Sequence, residues 1–590
     1  MGALGLPFIH ADQPRPTKTM RPVVRGTRHA VSSRTPQATE VAQNILRAGG
    51  NAFDAAVAGQ ATLCITDPAS NGVGGDAFIL IYDAKTGKVL SINGGGPAPR
   101  LATIEWYRTN NDNKLPIDDS LLAGTVPGTV DLWYTMLDRW GTMSFAEVLQ
   151  PAIELAEKGF PVGERLARGI AQVEKLKKYP TTSKLYLPNG NPLRTGEVFR
   201  NPGLARTLQR LVEAETGKSS AGRHEALKAA RDRFYKGDIA REMAAFSEAN
   251  DGLFRYDDFA SYEVKIEEPV SYSYRGYDVY KNPSANQGPS ELFTIGILEG
   301  FDLKAMGHNS ADYIHVNVEA IKLAFADREK FLADQDFVPI PFRTLLSPEY
   351  IAGRRTLVNL RRASSRLQPG SPEKFNSKLK PVHRTIEAAA SGGDHKGDTS
   401  YIAVVDSQRN AVSWTPSLHS SWGTGVVLGE LGFSLNCRGD YFWLDENHAN
   451  ALEVGKRPRS TLTPTLILKD GKPFMAVGSP GGDDQCMRIM QTFLNVVEFD
   501  MNIQAAIEAP RWSTESFPSS VFPHGTKKLH VSVEERVPQS VRKQLQRRGH
   551  KIEVSGPWTL GATSAILVDP KSGVLSAGAD PRGDNYALAW

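Results

Sequence analysis

The chain has 590 residues, 40% of them hydrophobic and 23% charged, with a formal net charge of +4. That length and composition bury a large core, and so small a charge makes Arg361-Arg362 and Arg547-Arg548 solvated surface rather than a nucleic-acid footprint. No apolar run approaches the length of a membrane span, and Cys64, Cys437 and Cys486 are too far apart, with no CxxC pair, for a disulfide framework or a zinc site.

Residues 1–30 are expected to form a flexible segment. Met1 to Ala11 is short and apolar, and reads either as the tail of a trimmed secretory signal, though without its basic start, or as a disordered terminus. Thr35-Pro36 supplies an N-cap and a first-turn proline, and Gly49-Gly50 ends that helix. Asn51 with Asp54 three residues on caps a second, Ala-rich helix reaching about Cys64, a composition suited to close packing. The Gly72-Val73-Gly74-Gly75 loop invites a dinucleotide-binding reading, but a strand from Phe78 to Tyr82 follows it where that motif needs a helix. A turn at Thr86-Gly87 leads to a return strand through Val89-Leu90.

Helical, charge-rich sequence fills Ser144 to Ala249, and a further helix covers Ala311 to Asp334. From Leu367 to Gly397, Pro, Ser, Gly and Lys with little periodicity predict an exposed linker. Beyond it the pattern turns to β. Strands flank the Ser407–Asn410 turn, and another hairpin pivots on Asp470-Gly471. Asp484 to Phe499 is an amphipathic helix, Pro538 to Arg548 another, and a last hairpin turns at Lys571-Ser572-Gly573. Hairpins interleaved with helices around two sheets predict an α+β fold layered α-β-β-α.

The most informative point is Asp398-Thr399, where the polar, Gly-rich Ser391–Gly397 segment runs into a Thr that opens an alternating strand. That is the setting of an N-terminal-nucleophile hydrolase cutting itself. The Thr hydroxyl attacks the preceding carbonyl, water resolves the ester, and the freed Thr carries both a nucleophile and, in its α-amine, a base. The bland alternative is a loop entering a hairpin.

The sequence from Thr399 to Trp443, then Gly455-Lys456-Arg457-Pro458, Gly478-Ser479-Pro480-Gly481-Gly482 and Ala579-Asp580-Pro581-Arg582, together with Gly49–Ala56 and Asn71–Asp76 upstream, resembles the γ-glutamyltransferase family of autocleaving Thr hydrolases. The resemblance runs in order from about Val31 to Tyr586. It implies the same layered sandwich, a large subunit of residues 31–398 and a small subunit of residues 399–590 from one precursor, a small-molecule amide substrate, and no cofactor or metal. The family and the apolar N-terminus favour a periplasmic or secreted location, with a cytoplasmic one the alternative.

The resemblance implies Thr399 as nucleophile and Ser417, in place of a family Thr, as the hydroxyl that orients it; the plain reading of Ser417 is a strand-end Ser. It implies Gly481 and Gly482 as the oxyanion hole, where side-chain-free residues between a strand and a helix aim N–H groups at developing charge; alone they read as a tight turn. The family's carboxylate-clasping Arg falls on Gly95, its substrate-gripping Asn on His419, and its amine-binding Asp on Tyr441, with Asp440 one position off. Ser460 and Thr461 match its pocket-lining Ser pair. These departures resemble the cephalosporin-acylase-like and oxamate-amidase-like branch. Arg438 is open to two readings, a replacement carboxylate anchor or a structural ion pair.

Rival chemistries fail on context. Ser377-Lys378-Leu379-Lys380 and Lys85-Thr86-Gly87 stand in the reverse order for a penicillin-recognising serine enzyme. Gly217-Lys218-Ser219 lacks the first glycine of a phosphate loop, Val212 standing there. The alternative from another class is an uncleaved, non-catalytic binding relative.

Overall fold

The structure is a computed structural model and describes residues 18–387 and 397–590; residues 1–17 and most of the glycine-rich approach to Asp398 lie outside the described residues. Two antiparallel sheets stack at its centre. One orders its strands Tyr586–Ala589, Ala30–Ser33, Ile402–Val405, Ala411–Ser417, Asp76–Asp83, Lys88–Asn93 and Lys265–Glu267. The other runs Val24–Gly26, Leu575–Ala579, Ser564–Val568, Lys472–Gly478, Thr465–Lys469, Tyr277–Lys281 and Val270–Tyr274. Residues on both sides of Asp398-Thr399 therefore interleave within each sheet.

Period-two alternation builds the layers. In the strand that follows Thr399, Ala403 and Val405 face the second sheet and pack with Leu466, Ala476, Ile566 and Ala577. Ile402 and Val404 face the opposite way, into a helical layer with Ala42, Val57, Ala61 and Trp133. The second sheet has its own outer layer, where Val279, Ile467, Met475 and Val477 meet Leu292, Ile314, Ile321 and Met490. The result is the expected α-β-β-α sandwich.

Local signals hold through most of the chain. The first helix spans Pro36–Arg47 with Thr35 as N-cap. The second spans Ala52–Thr66, closed by a capping box of Asn51 and Asp54, and every one of its residues is buried. The loop after it leads into Asp76–Asp83, a strand and not a helix. Two segments carry more order than their composition suggests. Within residues 1–30, Val24–Gly26 pairs with Leu575–Ala579, and the Met20 and Arg21 N–H groups are held by Glu508. Between Leu367 and Glu387 the linker lies docked on the surface, with Phe375 against Tyr350, Arg384 on the Lys330 carbonyl and Thr385 on Asp445.

Candidate active site

The hairpin made by Ile402–Val405 and Ala411–Ser417 puts Thr399 beside Ser417, because the Ser400 N–H extends the ladder to the Pro416 carbonyl. Thr399 is 1% exposed. Its Oγ1 lies 3.2 Å from Ser417 Oγ. Ser417 Oγ accepts from the His419 N–H at 2.7 Å and donates to the Asp398 carbonyl oxygen at 2.9 Å. With the Ser417 proton directed to that carbonyl, Thr399 is the donor in the Thr–Ser contact. One hydroxyl thus donates to the carbonyl of the Asp398–Thr399 peptide while accepting from the Thr399 hydroxyl.

Charge fixes the same peptide from the other side. The Asp398 carboxylate accepts from the Thr399 N–H at 3.0 Å and the Ser421 hydroxyl at 3.1 Å, with Arg34 at 3.7 Å and Arg165 at 4.0 Å. Burial alone would raise the Asp398 pKa, but Arg165 and Arg34, helped by Ser70 and the Thr399 N–H, hold it below the usual carboxylate value. Both arginines also reach Asp67, which takes hydrogen bonds from the Ser400 and Ser70 hydroxyls. Asp67, Arg34 and Arg165 escaped the sequence reading, since nothing local marks residues so distant in the chain as neighbours of Asp398.

Gly481 and Gly482 follow the strand Lys472–Gly478 with φ of +106° and +58°, a conformation that favours glycine. A Cβ on Gly397 would lie 3.1 Å from both the N and the Cα of Gly482, so this turn touches the backbone that leads to Asp398. Asp483, clamped by Arg328 and Ser520, and the Gln287 amide on the Gly482 carbonyl fix the turn.

His419 takes an unusual φ of +80° and is tied by its backbone, with its carbonyl on the Asp398 N–H at 2.7 Å. Its buried ring stands edge-on to Tyr441 at 4.2 Å. Burial first, then Arg438 and Lys175, drive its pKa well below the ordinary value, so the imidazole is neutral. Tyr441 bonds Thr461 Oγ1 at 2.9 Å, which brings one of the expected pocket-lining pair to the site. The Ser460 hydroxyl accepts from the Leu462 N–H at 3.2 Å.

Arg438 combines its two readings. Its Nε stands 2.7 Å from Asp76 Oδ2, an ion pair buried on both sides, and Asp76 is the register partner of Ser417. Yet Nη1 and Nη2 have no hydrogen-bond partner among the described residues. Asp440 is fully buried, and burial followed by repulsion from Asp118 raises its pKa well above the ordinary carboxylate value, favouring the protonated form. Gly95 is bound through its backbone: its N–H donates to Asn93 and its carbonyl accepts from Arg457 Nε at 2.8 Å.

A layered α-β-β-α sandwich with a buried threonine hydroxyl hydrogen-bonded beside the Asp398–Thr399 peptide has the fold of the N-terminal-nucleophile enzymes that act on amides. The chain belongs to the γ-glutamyltranspeptidase family, whose model matches residues 38–590. It is 31% identical to the glutathione hydrolase proenzyme of Bacillus subtilis (strain 168), over 99% of this chain and 95% of that one. It is 32% identical to the acylase ACY 1 proenzyme of Pseudomonas sp. (strain SE83), over 96% of this chain and 94% of that one. The crystal structure of cephalosporin acylase from Bacillus halodurans superposes with a TM-score of 0.84 at 32% identity, covering 99% of each chain. Relatives of both kinds are amide hydrolases or transferases, and this chain is an enzyme of that type. Among the described residues no helix is long and apolar enough to cross a membrane.

Proposed function

We propose that the chain cuts itself before Thr399 and that the freed Thr399 hydrolyses amides whose acyl group ends in a carboxylate. In maturation Thr399 Oγ1 bonds to the Asp398 carbonyl carbon, its proton passes to Ser417, and the C–N bond breaks as the nitrogen takes a proton. Water then splits the ester, leaving a large subunit ending at Asp398 and a small subunit starting at Thr399. In turnover the same oxygen attacks the substrate carbonyl with the Thr399 amine as base, and the leaving amine departs with a proton. Water releases the acid. The Gly481 and Gly482 backbone offers N–H groups to the tetrahedral oxygen, an arrangement worth about 3 kcal/mol per donor.

The observation that carries the substrate reading is Arg438, buried beside the nucleophile's hairpin with two unpaired N–H edges. A charged hydrogen bond of this kind is worth about 1.5–3 kcal/mol. Nothing comparable supports an α-ammonium group. Tyr441 stands where the family's amine-binding Asp falls, the His419 pKa is pushed well down, and the Asp440 pKa is pushed well up, which favours its uncharged form. Glutaryl-type amides are therefore better matched than γ-glutamyl ones, and hydrolysis should outrun transfer to an amino acid or peptide. A second reading, γ-glutamyl hydrolysis or transfer with glutathione-like donors, is favoured by Asp440 if bound substrate ionises it.

The test is a denaturing gel and intact mass of the parent and Thr399→Ala chains, followed by a panel of glutaryl, γ-glutamyl and oxo-acid amides with and without a dipeptide acceptor. Two fragments split before Thr399 in the parent alone, and faster turnover of the glutaryl amide, are expected. Cleavage of the Thr399→Ala chain at this bond would remove self-processing by this hydroxyl. Strong γ-glutamyl transfer to the dipeptide would overturn the substrate reading.

A further inference from the structure

We propose that Asp118, His419, Cys437 and Asp440 form a binding site for a zinc-class divalent cation beside the nucleophile, and that a cation held there blocks the substrate pocket. One ligand atom from each of the four residues lies within 4.8 Å of all the others. His419 Nδ1 is 3.1 Å from Cys437 Sγ and 3.6 Å from Asp440 Oδ2. Zinc bonds of about 2.0–2.3 Å at tetrahedral angles separate ligand atoms by about 3.5 Å, so these two spacings need only small adjustment. The set also matches that metal's preference for imidazole, thiolate and carboxylate together.

Three features separate this group from a chance cluster of polar residues. His419, Cys437 and Asp440 are all at least 99% buried. Asp440 Oδ1 has no hydrogen-bond partner among the described residues, an uncompensated polar atom in the wall of the cluster. His419 is held at a strained φ of +80°, with its carbonyl on the Asp398 N–H, and its Nδ1 faces both Cys437 and Asp440. Cys437 Sγ already lies 3.1 Å from His419 Nδ1, and a bound cation would displace the thiol proton together with any proton on Asp440.

Access runs past Asp118, which is only half-buried and whose N–H reaches Asp440 Oδ2 at 3.3 Å. Two cations border the site. Lys175 Nζ is held by the carbonyls of Asp118 and Gly423, and Arg438 Nε is paired with Asp76. A bound ion would pin His419 and Asp440, two of the positions the family resemblance assigns to substrate.

Cobalt(II) reports on the site directly. Titrating the full chain with Co2+ should give one equivalent bound, with a thiolate-to-metal charge-transfer band and the visible bands of a tetrahedral ion. Zn2+ should displace it and inhibit amide hydrolysis in competition with substrate. Cys437→Ser should abolish the charge-transfer band, and Asp118→Asn, at the accessible edge, should keep the band while weakening binding at least about tenfold. No band in the parent, or a band retained in a folded Cys437→Ser chain, overturns the site. Stoichiometric binding with full activity overturns the blocking role. The spectrum does not depend on turnover, so its result is separate from that of the proposed amide hydrolysis.

Discussion

The Ser417 hydroxyl donates to the Asp398 carbonyl oxygen at 2.9 Å, across the end of the hairpin that carries both. It draws electron density from the peptide carbonyl that Thr399 would attack, and its own oxygen lies 3.2 Å from the Thr399 hydroxyl to receive the proton. Ser417→Ala should therefore slow maturation about 100-fold, the scale of one lost oxyanion donor, whereas Ser417→Thr should mature at close to the parent rate. A time course of band splitting on a denaturing gel measures both. Equal rates for the Ala and parent chains would reduce Ser417 to a strand-end residue.

Gly482 combines φ of +58° with close contact to the backbone at Gly397. Gly482→Val adds a branched side chain in a left-handed conformation, costing about 1–2 kcal/mol of backbone strain, and pushes the N–H out of line. Turnover should fall about 100-fold while thermal unfolding stays cooperative. A folded variant with parent kcat would take these glycines out of the mechanism.

His315 Nδ1 and His550 Nε2 lie 2.8 Å apart, one residue on each side of the proposed cleavage point. Burial lowers both pKa values, and His315, Lys322 and Arg548 help to bring His550 down to about 3. A histidine depressed from 6.5 in the fold gives stability that is present above 6.5 and is lost as pH falls toward the folded value. Each such histidine costs about 1.4 kcal/mol per pH unit through that window. Melting temperature should therefore drop between pH 6.5 and pH 4, and His550→Gln should flatten that limb relative to the parent. A variant with an unchanged acid slope would place the proton uptake elsewhere.

The sandwich was legible because its strands obey a strict alternation, as in Ile402 to Val405, and because Asn410 and Asp470-Gly471 mark tight turns between them. The proximity of Thr399 to Ser417, and of Gly482 to the backbone before Asp398, agrees with motif and local grammar. Less could be read where a strand's sequence is weak or its partner remote. Tyr586–Ala589 pairs with Ala30–Ser33 from the far end of the chain, and His530–Glu534 pairs in parallel with Lys551–Ser555 across an intervening helix. The same distance hides Asp76 from Arg438 and Asp67 from Ser400, since no spacing rule links residues that only the folded sheet brings together. Cysteine spacing points to no metal centre for the same reason: Cys437 meets His419 and Asp118 through three separate loops.

Arg438 anchors a substrate carboxylate only if its free N–H edges, rather than its pairing with Asp76, set its effect on turnover. Arg438→Gln should raise KM for a glutaryl amide about 10- to 100-fold, the equivalent of about 1.5–3 kcal/mol, and leave a neutral acyl amide of similar length nearly unaffected. The single variant strands the buried Asp76 carboxylate, which burial already drives toward the protonated form. The Asp76→Asn/Arg438→Gln pair removes that charge and should recover melting temperature without recovering glutaryl turnover. Steady-state kinetics on the two substrates, with melting curves for the parent and both variants, separates the roles. Equal losses on the neutral and acidic amides, restored together with stability in the double variant, would make Arg438 a structural ion pair and leave the acyl carboxylate without its anchor.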